Sequence, residues 1–144
     1  MIEDFSKIRV RYAETDQMGV VYYANYFVWM EVGRTNLLRK NGLSYKQLEK
    51  DGYALPVLKA YAEYFYPAHY DEEITIHSLL KEMKGPKLKI EYKILNAEKK
   101  LLASGYTEHA FISSSTGKVV KPPQSFSQLV EASMTKEENS EKES

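Results

Sequence analysis

The chain contains no cysteine, which excludes disulfides, thiolate catalysis and cysteine-ligated zinc. It has no net charge, 20 basic residues balancing 20 acidic ones, so no broad electrostatic footprint for nucleic acid or an acidic membrane is present. No apolar run approaches the roughly 18 residues of a membrane span, and the N-terminus lacks the apolar core of a signal peptide. The expected location is therefore the cytoplasm. Histidine is scarce at three residues, and their positions, His69, His77 and His109, suggest neither a metal site nor a catalytic dyad. No serine lies in a Gly-x-Ser-x-Gly turn, so nucleophile-elbow chemistry has no support.

What is there belongs to an ordinary globular domain. At 144 residues, 43% apolar and 28% charged, one domain with a substantial core is expected. Tyrosine is abundant at 12, which favours strands and half-polar contact surfaces.

Hydrophobic periodicity orders the chain. Ile8, Val10 and Tyr12 alternate with Lys7, Arg9 and Arg11, predicting a half-buried strand over about 6–14. Helical spacing follows from Tyr22 to Lys40, with Tyr26, Met30, Gly33 and Leu37 in one row and Asn41-Gly42 ending it. Gly33 costs about 1 kcal/mol relative to Ala in mid-helix, which points to a close packing contact. Ser44 reads as the N-cap of a short helix, Tyr45 to Lys50. Thereafter the chain is mostly strand: 58–66 with Leu58, Ala60, Ala62, Tyr64 and Tyr66 on one face, a strand through Ile74, Ile76 and Leu80, then Leu88, Ile90, Tyr92 and Ile94 alternating with Lys and Glu, and Leu101 to Ser113. A hairpin turn at Thr116-Gly117 leads into Lys118 to Lys121, and a short amphipathic helix surrounds Phe126, Leu129 and Val130. Residues 133–144 are polar without periodicity and are expected to be disordered. One long helix followed by a run of strands is an α+β pattern, solved economically by a single antiparallel sheet wrapped around that helix.

Between the first strand and the long helix lies Tyr12-Ala13-Glu14-Thr15-Asp16-Gln17-Met18-Gly19-Val20-Val21-Tyr22-Tyr23-Ala24-Asn25-Tyr26. It sets a carboxylate beside the positive end of a helix, where free backbone N–H groups polarise a bound carbonyl. With Glu31 to Arg34, Tyr53-Ala54-Leu55-Pro56-Val57, Pro67-Ala68, Asp71 and Gly85-Pro86-Lys87-Leu88, this segment resembles the hot-dog-fold acyl-CoA thioesterases, in the 4-hydroxybenzoyl-CoA thioesterase branch with its YbgC-like members. The similarity runs over about 5–132, taken as the domain 1–132.

The resemblance implies hydrolysis of an acyl-CoA to free acid and CoA, without a metal and with no cofactor beyond the CoA of the substrate. Asp16 is implied as nucleophile or general base, and the Tyr23 backbone N–H as the donor that polarises the thioester carbonyl. Many YbgC-like members carry histidine where this chain has Tyr23, so an imidazole role at that position is unavailable here. The family also implies a homodimer or homotetramer with active sites between protomers. Gly19 is expected to supply a positive φ or clearance for the acyl group. Val20, Tyr22 and Tyr26 are candidates for the acyl pocket, and Lys84, Lys87 and Lys121 for the CoA phosphates. Lysines on edge strands also serve simply as a solvated face. Glu31 is the backup carboxylate, because another hot-dog branch places its carboxylate within the helix. A catalytically inactive CoA- or acyl-carrier-binding scaffold is the alternative reading, and a hydratase lacks the histidine it would use near the site.

Overall fold

The computed structural model describes the backbone of residues 2–143 and the side chains of residues 2–133. Five strands form one antiparallel sheet in the order β1-β4-β5-β6-β3: β1 (Glu3–Arg9), β3 (Val57–Tyr64), β4 (Glu73–Lys84), β5 (Lys87–Asn96) and β6 (Leu101–Ala110). A second, two-stranded sheet pairs β2 (Tyr53–Ala54) with β7 (Ile112–Ser113). Helix α1 (Asn25–Lys40) lies along the inner face of the larger sheet, followed by α2 (Tyr45–Lys50); α3 (Gln124–Glu143) closes the chain. This is the hot-dog arrangement.

The sheet wraps the helix because one face of it is apolar. On β5, Leu88, Ile90, Tyr92 and Ile94 are all buried, each side chain contributing about 1.5–3 kcal/mol of transfer free energy. They meet the row Tyr26, Met30, Gly33 and Leu37 of α1, which is buried as its spacing requires. Gly33 is the point of closest approach. A Cβ there would overlap Ser78 Oγ and stand 2.8 Å from Ile76 Cγ2, so helix and sheet touch backbone to side chain. Ser44 caps α2 by accepting from the Gln47 N–H at 3.1 Å.

Several boundaries differ from the sequence expectation. The first strand ends at Arg9 and begins at Glu3 rather than spanning 6–14, and Tyr12–Glu14 form a 3-10 turn. Its inward residues include Asp4 and Ser6, which carry no hydrophobic signal. Lys40 neutralises Asp4 at 2.6 Å, Ser6 donates to Asp4 at 2.7 Å and Asn36 donates to Ser6 at 3.0 Å. Helix α1 begins at Asn25, not Tyr22, because Tyr22 and Tyr23 serve as acceptors for the first turn. The long strand expected over 101–113 breaks at buried Phe111, whose N–H leaves the sheet for the Pro86 carbonyl. Strand β3 stops at Tyr64 instead of reaching Tyr66, and all of its residues but Ala62 are exposed. The short helix expected around Phe126 is the start of α3, with Phe126 and Val130 buried. Its backbone continues helical to Glu143, through the segment expected to lack order. The side chains of 134–144 lie outside the described residues. Among the described residues, no helix is long and apolar enough to cross a membrane.

Candidate active site

The Asp16 loop is a tight hairpin. Thr15 pairs with Val21, the Asp16 N–H donates to the Val20 carbonyl at 2.8 Å, and the Tyr22 N–H donates to the Glu14 carbonyl at 2.9 Å. Val20 also bridges to His69, and the Val21 N–H donates to Ala68, so the hairpin is stitched to the segment that joins β3 to β4. Gly19 turns the chain at φ +81°, and a Cβ on it would meet nothing within 4 Å. It is therefore needed for its backbone angle, not for clearance.

Within the turn the Asp16 carboxylate divides its two oxygens. Oδ1 accepts the Met18 N–H at 2.8 Å and the Val20 N–H at 3.4 Å. Oδ2 has no hydrogen-bond partner among the described residues, and the side chain is exposed. Thr15 spends its hydroxyl on the Tyr12 carbonyl at 2.7 Å and does not touch Asp16.

The hairpin delivers the chain directly into α1. Asn25, Tyr26 and Phe27 donate backwards to Tyr22, Tyr23 and Ala24. The N–H groups of Tyr23 and Ala24 have no partner among the described residues. Two consecutive open donors at a helix start form an anion-binding end. Sequence reasoning named the first of them and missed the second, because it began the helix three residues early.

A buried carboxylate fixes this geometry. Glu14, 6% exposed, accepts the Trp29 indole N–H at 2.8 Å and the Arg11 backbone N–H at 2.8 Å. Its carbonyl accepts Tyr22 N–H and, at 2.9 Å, Asn25 Nδ2. The sequence reading assigned Glu14 nothing. Its only signal was a glutamate breaking the strand alternation just before the loop.

Beside the open donors lies a cleft of about 270 Å³ lined by Val21, Tyr23, Tyr26, Tyr64, Phe65, Tyr66 and Pro67. Tyr23 is 59% exposed and Tyr22 47%, their rings 4.7 Å apart. Tyr26 is only 3% exposed. Its hydroxyl accepts the Ala68 N–H at 3.2 Å and its ring packs on Trp29 at 4.8 Å; burial pushes its phenol above the ordinary 10.0. It forms the cleft floor.

The model of the thioesterase-like superfamily matches residues 10–130, a span that contains the hairpin, α1 and the whole sheet except β1. The chain belongs to that superfamily. The Bacillus subtilis protein YneP is 40% identical over 115 residues, covering 80% of this chain and 83% of its own. The Escherichia coli acyl-CoA thioester hydrolase YbgC is 38% identical over 95 residues, 66% of this chain and 71% of that one. The crystal structure of the Staphylococcus aureus DHNA-CoA thioesterase superposes with a TM-score of 0.88 at 30% identity, covering 100% of this chain and 97% of that one.

The remaining candidates of this thioesterase-like chain fall elsewhere. Lys84 and Lys87 face each other across the β4–β5 turn. Lys121 follows Val120, whose N–H bonds to Phe111, itself tied to Pro86. All three thus sit at the end of the sheet where β3 begins. The Asp16 hairpin sits at the other end, beside Tyr64. The 12 residues of β4 separate the two ends by roughly 36 Å at about 3.3 Å per residue. One protomer does not bring them together. Glu31 lies on the exposed side of α1, two turns beyond the open donors.

Each histidine has a local partner: His69 with Glu72 at 2.9 Å, His77 with Glu3 at 2.7 Å, and His109 with Thr107 at 2.8 Å. Among the described residues no group of three or more His, Cys, Asp or Glu could hold a metal ion.

Proposed function

We propose that the chain hydrolyses acyl-CoA thioesters at the Asp16 hairpin, releasing free acid and CoA. It is a thioester hydrolase by family, and the reading concerns how it acts. The carrying observation is a carboxylate with one oxygen uncommitted, held by a two-pair hairpin next to two open N–H donors.

In this reading the thioester carbonyl oxygen accepts from Tyr23 N–H, with Ala24 N–H adjoining. Losing one such donor typically costs about 2.7–4 kcal/mol of transition-state stabilisation. Asp16 Oδ2 takes a proton from water as hydroxide adds to the carbonyl carbon. Collapse of the tetrahedral adduct breaks the C–S bond, and the thiolate leaves with the proton returned from Asp16. Direct attack by Oδ2 instead gives a mixed anhydride that water then cleaves. Solvent ¹⁸O entering Asp16 in a single turnover identifies the anhydride route. The reaction draws on no cofactor beyond the CoA of its substrate and is assigned to the cytoplasm.

Homo-oligomer formation completes the reading. Strand β3 is a sheet edge bonded only to β6, and it exposes Leu58, Tyr61 and Tyr64 by 56%, 43% and 44%. Such an edge is a template for pairing. Two copies joined antiparallel along β3 lay the beginning of one strand against the end of the other. The Lys84, Lys87 and Lys121 end of the second copy then lies beside the Asp16 end of the first, within reach of CoA phosphates. Active sites between protomers follow from this register, in a dimer or in a tetramer of two such pairs.

Thiol release from a panel of acyl-CoAs by wild type and Asp16→Asn tests the reading. Asparagine keeps an Oδ1 acceptor for Met18 and Val20, so the turn survives. A fall of about 10²–10⁴ in kcat is expected. Undiminished turnover in the variant removes Asp16 from its role, and CoA binding without hydrolysis by wild type leaves an inactive scaffold.

A further inference from the structure

The open Ala24 N–H belongs to the peptide unit whose carbonyl is that of Tyr23, and this carbonyl is loaded twice. It accepts the Tyr26 N–H at 3.2 Å, a bond of the first helical turn. It also accepts the phenol O–H of Tyr64 at 3.2 Å, reaching across from the last residue of β3. Donors on a peptide oxygen polarise the same peptide's N–H and strengthen it as a donor. We infer that Tyr64 is a positioning residue for thioester hydrolysis, which holds and polarises the Tyr23–Ala24 peptide so that Ala24 N–H serves as the second oxyanion donor beside Tyr23 N–H. This rests on the thioesterase reading above and adds a residue from the sheet to it.

The ring of Tyr64 is held from two sides. It stands edge-on to Tyr26, with centroids 5.0 Å apart at 78°, and edge-on to Tyr23 at 6.4 Å and 79°. Tyr26 is in turn fixed by Trp29 and Ala68, so one of the two rings that aim the phenol is itself buried and hydrogen-bonded. Desolvation by burial and then the neighbouring Tyr23 phenol hold the Tyr64 phenol above its ordinary 10.0. It therefore remains a donor throughout the neutral range. A half-exposed tyrosine commonly finds some surface carbonyl. Here the carbonyl chosen is the one whose peptide N–H is unoccupied.

The inference separates from a packing role by where the loss appears. Tyr64→Phe keeps the ring contacts and deletes only the hydroxyl. Its kcat on an acyl-CoA that wild type turns over is expected to fall about 3- to 30-fold, with KM within twofold of wild type. The donor strengthens as negative charge develops, so its loss falls on the transition state. Unchanged kcat, or a raised KM at unchanged kcat, overturns it.

A second measurement does not use activity. In an amide-resolved NMR spectrum, the Ala24 N–H resonance should move upfield in Tyr64→Phe, while that of Tyr23 moves less. An unmoved Ala24 resonance also overturns the inference. If Tyr64→Phe fails to fold, 3-fluorotyrosine at position 64, a stronger phenol donor of nearly the same shape, should move the Ala24 N–H resonance downfield, and an unmoved resonance overturns the inference. Loss of activity in Asp16→Asn with normal kcat in Tyr64→Phe sinks only the Tyr64 assignment. Full activity in Asp16→Asn sinks the underlying reading whatever Tyr64 does.

Discussion

Trp29 donates its indole N–H to the buried carboxylate of Glu14 at 2.8 Å, joining the second turn of the central helix to the turn that precedes the Asp16 hairpin. The other carboxylate oxygen holds the Arg11 N–H. Position 14 must therefore supply two acceptor oxygens, and glutamine offers one oxygen and one NH₂. Glu14→Gln leaves a buried donor facing a donor, at an expected cost of about 1–3 kcal/mol. The chain has one tryptophan, so tryptophan emission reports the surroundings of Trp29, Glu14 and Tyr26 included. Urea denaturation followed at that wavelength should show a lowered midpoint. An unchanged midpoint and spectrum would show that the contact carries no weight.

Glycines 19 and 33 should fail in opposite ways. At Gly19 an alanine meets nothing, but it must hold φ +81°, a backbone cost of about 1–2 kcal/mol that the hairpin can relieve only by moving Asp16. Gly19→Ala should lower kcat/KM more than it lowers Tm. At Gly33 the added methyl overlaps Ser78 and Ile76, overpacking worth about 1–3 kcal/mol. Gly33→Ala should lower Tm, with kcat/KM at permissive temperature less affected. Melting curves paired with kinetics on both variants check the contrast.

His109 predicts a pH dependence of stability. Its Nδ1 faces the Leu55 carbonyl at 3.3 Å, so Nδ1 carries the proton, and Nε2 accepts from Thr107, which in turn accepts from Tyr92 at 2.6 Å. Burial, then the nearby Arg34 guanidinium, lowers its pKa from 6.5 to about 4, while burial pushes Tyr92 up to about 12. The unfolded chain thus binds this proton more readily than the folded one. The contribution is fully present above about pH 6.5 and is lost as pH falls towards 4, at up to about 1.4 kcal/mol per pH unit. His109→Gln should flatten that part of the profile. A wild-type Tm that does not fall between pH 6.5 and 4 contradicts the assignment.

Charge on the β3 edge should separate protomers. Leu58→Glu combined with Ala60→Glu sets facing carboxylates across an antiparallel β3 junction. Sedimentation should show wild type at a multiple of 16.7 kDa and the double variant shifted towards one protomer, with activity falling in parallel. A wild type that sediments as one protomer removes the β3 pairing from the reading.

Strand β5 and the core row of α1 were legible because their buried faces are carried by apolar and aromatic residues: Leu88 to Ile94 alternate cleanly, and Tyr26 to Leu37 repeat at helical spacing. Strand β1 was legible only in part. Its inward Asp4 and Ser6 are satisfied by Lys40 and Asn36, partners 30 or more positions away that no local pattern announces. Asp16 and Gly19 were readable as a turn with a carboxylate. Glu14 was not, since its role depends on Trp29 a helical turn and a loop later. Tyr64 looked like any strand tyrosine until the fold set its hydroxyl on Tyr23.

The uneven use of the Asp16 oxygens has an isotopic consequence. Rotating the carboxyl by half a turn breaks both amide bonds to Oδ1 and re-forms them to the other oxygen, at a cost of about 1–3 kcal/mol that is small beside a turnover barrier, so the two oxygens trade places between turnovers. An ¹⁸O atom acquired at Oδ2 through an anhydride would therefore be shared between both positions before the next attack. Repeated turnover in labelled water would pass the label on into the product acid, and the enzyme itself would approach two heavy oxygens.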